Sequence, residues 1–78
     1  MNQRVVSHPN ILHGKPRIRG TRIAVSMVLE LIEAGITFAE IQDKYYPQLS
    51  DDDIKACITY ARQLVDEEEI HFVPEVEA

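Results

Sequence analysis

The chain has 78 residues and a mass of 8.9 kDa, with 45% apolar and 27% charged residues. A chain of this length forms one small domain, burying about 63% of the surface that its unfolded form exposes, which argues against a large enzyme cleft. Cys57 is the only cysteine, and no apolar run exceeds three residues. This excludes an internal disulfide, a membrane span and a signal-peptide core, so we expect a cytoplasmic protein.

The net charge of −5 is unevenly distributed along the sequence. Residues 1–22 contain no acid and five bases: Arg4, Lys15, Arg17, Arg19 and Arg22. Residues 23–78 contain three bases and all thirteen acids, a net charge of −10. Such asymmetry indicates different partners for the two ends of the chain.

The N-terminal part, residues 1–24, is predicted to be a β-hairpin arm. Two prolines and two glycines within residues 9–20 rule out a helix there. The pair Gly14-Lys15 has the composition of a two-residue hairpin loop, with strands at Ile11–His13 and Pro16–Ile18.

Apolar residues recur at helical spacing from Val25 onward and predict a first helix at about 26–34. We expect Ser26 to cap its start and Gly35 to end it in a left-handed conformation. Its apolar positions exceed one face, comprising Val25, Met27, Val28, Leu29, Leu31, Ile32 and Ala34. The pattern predicts a helix buried on more than one side, at the centre of the fold or of a dimer.

Two further helices are indicated by their N-terminal signals. Thr37-Phe38-Ala39-Glu40 matches a capping box and predicts a short helix at about 37–45, ended by Pro47. Ser50 is the expected cap of a third helix at about 50–67. Three aspartates follow in its first turn, where the helix dipole favours them: Asp51, Asp52 and Asp53.

The predicted architecture is mainly α: a basic hairpin arm, a three-helix core with a helix-turn-helix arrangement over residues 25–67, and an acidic tail. The chain, residues 1–78, is one domain. The tail, residues 68–78, carries an apolar patch of Ile70, Phe72 and Val73 among glutamates. Such a patch suits a segment that orders on a basic partner, or a strand that packs on its own domain or dimer mate.

No catalytic or metal-binding motif is evident. The three histidines are scattered, and Cys57 falls in the apolar stripe of the third helix, where it serves as a small hydrophobic residue. Three consecutive aspartates on a helix point about 100° apart and cannot converge on one cation. We therefore expect no enzyme activity, cofactor or metal.

The basic arm is the main candidate binding site. Alternation in a strand places Arg17 and Arg19 on one face with Ile18 inward. Lys15 and Arg22 extend this row into a phosphate-binding ridge. The alternative is that these cations pair internally with the acids of the helices. DNA contact through the third helix is disfavoured because its aspartates would face phosphates.

The sequence from His8 to Ile23, and above all GKPRIRGT at residues 14–21, resembles the bacterial family called domain of unknown function 433. The later elements also match: Ala34-Gly35, the Thr37 box, Tyr46-Pro47, Asp53-Ile54 and Tyr60-Ala61. The resemblance covers residues 5 to 65. It implies a homeodomain-like, dimer-forming module that acts as the antitoxin of a VapBC-like pair, whose toxin is a PIN-like ribonuclease.

On this resemblance, Lys15, Arg17, Arg19 and Arg22 would bind operator DNA and the acidic C-terminal part would engage the toxin. The first hypothesis is accordingly a dimeric antitoxin and autorepressor, with Ile70, Phe72 and Val73 as partner-binding residues. The second is a homodimeric protein-interaction module that binds no nucleic acid and uses its arginines in salt bridges.

Overall fold

Two short strands and three α-helices form the part of the chain that the computed structural model describes, residues 3–67. Strand β1 (Val5–Val6) pairs antiparallel with β2 (Arg17–Ile18), so that Val5 faces Ile18 and Val6 faces Arg17. Helices α1 (Val25–Glu33), α2 (Phe38–Glu40) and α3 (Asp51–Glu67) follow. The predicted mainly helical fold with an N-terminal hairpin is confirmed; the predicted tail lies outside the described residues.

The hairpin uses other residues than the sequence predicted. Leu12–Gly14 form a 3₁₀ turn instead of a strand and loop, with positive φ at Leu12 (53°), His13 (55°) and Gly14 (79°). The predicted two-residue turn at Gly14-Lys15 is therefore wrong. Gly14 does adopt the positive φ that such a turn requires, but its two predecessors adopt it too, and the chain coils instead of extending.

Strand β2 is also joined to the segment that leads into α1. Arg17 bridges to Ala24, and the Ile18 N–H donates to the Ile23 carbonyl at 3.0 Å. Between them Gly20, at a φ of 78°, allows a tight turn. The Thr21 hydroxyl closes this turn by donating to the Ile18 carbonyl at 2.8 Å. The chain thus reverses at residues 19–22, immediately before α1.

Helix α1 agrees with the predicted span within one residue. Its N-cap is Ala24, without a side-chain hydrogen bond, so the predicted cap at Ser26 is wrong. Gly35 ends the helix as predicted, at a φ of 85°. Its N–H donates to the Ile32 carbonyl, and the Ile36 N–H donates to the Leu31 carbonyl, both at 3.0 Å, which is a Schellman motif.

The second and third helices begin at the predicted residues. Thr37 and Glu40 form the expected capping box, with the Glu40 N–H donating to the Thr37 hydroxyl at 3.1 Å. Helix α2 continues directly into a π-helical turn, Ile41–Tyr45. Ser50 caps α3: its hydroxyl accepts from the Asp53 N–H at 3.1 Å, and its own N–H donates to the Asp53 carboxylate at 3.0 Å.

The core lies between the hairpin, α1 and α3. Its buried members are Ile18, Ile23, Val25, Val28, Ile41, Leu49, Ile54 and Cys57. Helix α1 contributes only Val25 and Val28 as buried residues, and Met27 is 41% exposed. Leu29, Leu31 and Ile32 of this helix are partly buried against the core. Within residues 3–67, α1 therefore packs along one broad face, and its place at the centre of a dimer stays a prediction. No helix in this range is both long and apolar enough to cross a bilayer.

Candidate nucleic-acid interface

Three of the four predicted DNA-binding residues are exposed: Lys15, Arg19 and Arg22. Arg17 is half-buried, and its Nε atom has no hydrogen-bond partner within the described range. Ile18, between two of these arginines, is 2% exposed. Ile18 thus lies in the core as predicted, whereas of its two basic neighbours Arg19 is exposed and Arg17 has its Nε atom buried.

Ion pairs in the described part of the chain involve other cations. Arg4 lies 3.0 Å from Asp53 and 3.7 Å from Asp52, and Arg62 lies 3.0 Å from Asp66. None of the four predicted residues pairs with an acid among residues 3–67. Among the cations of the arm, internal pairing with the acids of the helices is thus seen for Arg4 and not for the four predicted residues, within residues 3–67.

Arg19 is held in place by the N-terminal segment. Its Nε donates to the Gln3 carbonyl at 2.8 Å, and its backbone N–H donates to the Arg4 carbonyl at 2.7 Å. These bonds hold the Nε end of the guanidinium group in place, and neither Nη atom has a hydrogen-bond partner among residues 3–67. A guanidinium with free Nη groups can bind a phosphate through two hydrogen bonds.

The four basic residues do not share one groove. Lys15 lines an apolar groove of about 330 Å³, together with Leu29 of α1 and with Tyr60 and Leu64 of α3. Arg19 lines a larger, open groove of about 800 Å³ between the N-terminal segment and α3. Arg17 and Arg22 line neither of these grooves. Of the four, only Lys15 and Arg19 line these grooves, and they line different ones.

The first turn of α3 uses its aspartates within the fold. Asp51 accepts a hydrogen bond from the Gln42 amide, Asp52 lies near Arg4, and the Asp53 carboxylate accepts from the Ser50 N–H. Partial burial acts to raise the pKa of Asp53, but its bonds to Ser50 and Arg4 outweigh burial and hold the pKa below its ordinary value. Within residues 3–67, no group of three or more metal-binding side chains is suitably placed for an ion.

The contacts of Arg4 with the first turn of α3 were not predicted from the sequence. The residues it pairs with lie 48 and 49 positions away, and no local pattern around Arg4 announces the contact. The available signal was indirect: the first turn of α3 concentrates three acids, and a cation from the basic arm is the natural group to neutralise them.

Cys57 is fully buried in the core, as its place in the apolar stripe predicted. Burial, with a smaller contribution from the charge of Asp53, raises the pKa of its thiol to about 11. The thiol is therefore protonated at neutral pH and is unsuited to nucleophilic attack. His8 and His13 are exposed. His71 and the predicted partner-binding residues Ile70, Phe72 and Val73 lie outside the described residues.

The family model described as protein of unknown function DUF433 matches residues 5–61. The chain belongs to the DUF433 family. A DUF433 member protein from Anabaena variabilis, known from a crystal structure, is similar in fold, with a TM-score of 0.72 and 28% sequence identity. The match covers 82% of the present chain and 62% of the Anabaena protein, so this chain spans less than two thirds of that relative. No curated protein matches the chain.

Proposed function

We propose that this DUF433 protein is a bacterial, cytoplasmic antitoxin of a VapBC-like toxin–antitoxin system. It binds its own operator DNA as a dimer, and it neutralises a PIN-like ribonuclease through its C-terminal part. The protein is not an enzyme on this proposal, and it uses no cofactor. DNA binding is assigned to Lys15, Arg17, Arg19 and Arg22, and toxin binding to Ile70, Phe72 and Val73.

The observation that carries the DNA-binding part is the exposed basic turn that follows β2. Arg19 and Arg22 flank Gly20 and Thr21 in a reversal closed by backbone and hydroxyl hydrogen bonds. Neither arginine has an acidic partner in the part of the chain that the structure describes. Exposed guanidinium groups are suited to binding the phosphates of the DNA backbone, which Arg and Lys side chains commonly contact.

The dimer is supported by apolar surface that the described residues leave exposed. Met27 of α1 is 41% exposed, and on α3 the exposed fractions are 40% for Ile58 and 62% for Val65. Dimerisation would cover apolar side chains that a domain of this size cannot bury alone. It would also bring two basic turns to one operator, as the symmetric half-sites of dimeric repressors require.

DNA binding is tested by a salt titration with the duplex that lies upstream of the gene. If each of the four basic residues contacts one phosphate in both protomers, log K falls with log salt at a slope of about −7. Arg22→Ala should weaken binding and flatten the slope by roughly 2 in the dimer. Lys44→Ala, an exposed lysine in the π-helical turn, is the matched control and should leave both unchanged. Absence of binding by the native protein at low salt rejects the proposal.

The antitoxin part is tested by purifying the native protein from its host. Co-purification of a small ribonuclease whose activity the chain suppresses would support it. A homodimer recovered alone, with no DNA binding, would favour the second candidate, a protein-interaction module. The exposed apolar residues of α1 and α3 favour that module to the same degree, since they require an interface but no nucleic acid.

A further inference from the structure

The larger groove places the polar face of α3 opposite the N-terminal arm. Gln3, Arg4 and Arg19 line one wall, and Lys55, Thr59 and Gln63 of α3 line the other. These three α3 residues follow one another at four-residue spacing and therefore lie on one face of the helix. From the first to the last they extend about 12 Å along the helix axis.

The side chains on this face form no hydrogen bond within the described residues. Lys55 is exposed and Thr59 and Gln63 are half-buried, and within residues 3–67 none of their side chains has a hydrogen-bond partner. An ammonium group binds phosphate, whereas hydroxyl and amide groups can form hydrogen bonds with base edges. The stripe thus combines both kinds of DNA contact on one rigid helix.

The aspartates in the first turn of α3 would repel DNA phosphates, and Arg4 reduces this repulsion. Its guanidinium lies between Asp52 and Asp53, at 3.7 and 3.0 Å, on the wall of the same groove. The groove therefore contains three cations, Arg4, Arg19 and Lys55, against two carboxylates, a net charge of +1. The groove is therefore positively charged, although the net charge of the whole chain is −5.

We propose that DNA lies across the opening of this groove, contacting Arg19 on the arm and the Lys55–Thr59–Gln63 face of α3, and that Arg4 is a positioning residue that masks Asp52 and Asp53. The proposal rests on the proposed DNA-binding function and deepens it by adding α3 to the basic arm. Lys55 contacts a phosphate. Gln63 contacts a base edge, and Arg4 acts by neutralising Asp52.

The first test compares Lys55→Ala and Gln63→Ala with the control Lys44→Ala, using the upstream duplex and a random duplex of equal length. Loss of one phosphate contact corresponds to about an eightfold loss of affinity at 0.1 M salt, so Lys55→Ala should weaken both duplexes by roughly that factor per protomer. Gln63→Ala should weaken the upstream duplex about tenfold and the random duplex little, because a base contact carries sequence preference. Thermal unfolding of each variant verifies that the fold is kept.

The second test isolates the role of Arg4. Arg4→Ala should weaken DNA binding, and adding Asp52→Asn should restore most of it, because the double variant has the net charge of the native chain. If Arg4 served only to hold the arm on α3, the second substitution would restore nothing, and the masking role would be overturned.

The outcomes separate this inference from the proposed function. Native protein that binds no DNA at low salt rejects both. Binding that Arg22→Ala weakens, while Lys55→Ala and Gln63→Ala behave like Lys44→Ala, leaves the arm as the DNA-binding site and overturns the assignment of α3. Arg22 suits this comparison because it belongs to the arm but lies outside the groove.

Discussion

Asp53 connects a helix cap to the N-terminal arm. Its carboxylate accepts from the Ser50 N–H and from the Arg4 guanidinium, both at 3.0 Å, while its own N–H donates to the Ser50 hydroxyl. The Ser50 bonds start α3, and the Arg4 pair fastens the segment before β1 to that helix. One side chain, 16% exposed, thus joins elements that are distant in sequence.

We expect Asp53→Ala to lower the free energy of unfolding by about 1–2 kcal/mol, the usual cost of losing a capping side chain. Asp52→Ala is the matched control, since Asp52 is 71% exposed, and it should change stability by less than about 0.5 kcal/mol. Urea unfolding at neutral pH measures both.

The difference in the free energy of unfolding between native protein and Asp53→Ala should depend on pH. The folded-state pKa of Asp53 lies below its ordinary value of 3.8, so its stabilisation is present above that pH and is lost as the pH falls through the folded-state pKa. The gap between native protein and Asp53→Ala should therefore narrow below about pH 4. A gap that persisted unchanged at pH 2 would show that the carboxylate charge does not stabilise the fold.

Among the elements, those with local start and stop signals were the ones predicted from sequence. The Thr37 box, the Ser50 cap and Gly35 each act within a few residues. They predicted the starts of α2 and α3 and the end of α1 within one residue, whereas α2 gives way to a π-helical turn after Glu40, five residues before its predicted end. Ser26 failed as a cap because α1 starts directly from the turn after β2, one residue earlier, where Ala24 occupies the N-cap position.

The two strands could not be predicted from local sequence patterns. A two-residue strand such as β1 is too short to display alternation, and its partner in the sheet lies beyond an intervening loop. Leu12 adopts a left-handed conformation that its residue type disfavours, and His13 adopts one that is uncommon for any residue except glycine, so local sequence patterns did not predict either. The groove between the arm and α3 could not be predicted either, because the Arg4 contact beside it joins residues far apart in sequence. The basic turn could be predicted, because its residues are adjacent in GKPRIRGT.

Gly35 provides a test of how α1 is ended. Its φ of 85° is strained for any residue with a side chain, yet an added Cβ would meet no atom within 4 Å. Gly35→Ala should therefore cost about 1 kcal/mol, from backbone conformation alone. Gly35→Asn should cost less, because Asn tolerates the left-handed region. Equal losses of thermal stability for the two variants would contradict this explanation.

At the scale of the whole molecule, the basic residues 1–22 and the acidic residues 23–78 lie on different elements of the fold. The arm carries its cations on an exposed turn and in a groove beside α3, while the acids surplus to pairing lie on the helices and in residues 68–78. On the proposed function, the cations of the arm contact DNA and the acids of the C-terminal part contact a basic protein, so the two partners use different residues. On the proposed function, the two binding activities should therefore be separable by mutation.

The triple variant Ile70→Ser, Phe72→Ser, Val73→Ser tests this separation in the full-length chain. We expect it to lose co-purification with the ribonuclease, because apolar side chains supply the central contacts of such interfaces, and to keep the DNA affinity and salt slope of the native protein. Val76→Ser, an apolar residue of the same segment outside the predicted set, is the control. If the three residues pack instead on their own domain or dimer mate, the thermal midpoint should fall by several degrees in the triple variant alone. An unchanged midpoint together with an unchanged partner would place the toxin-binding surface elsewhere, and the exposed apolar residues of α1 and α3 would become the next candidates.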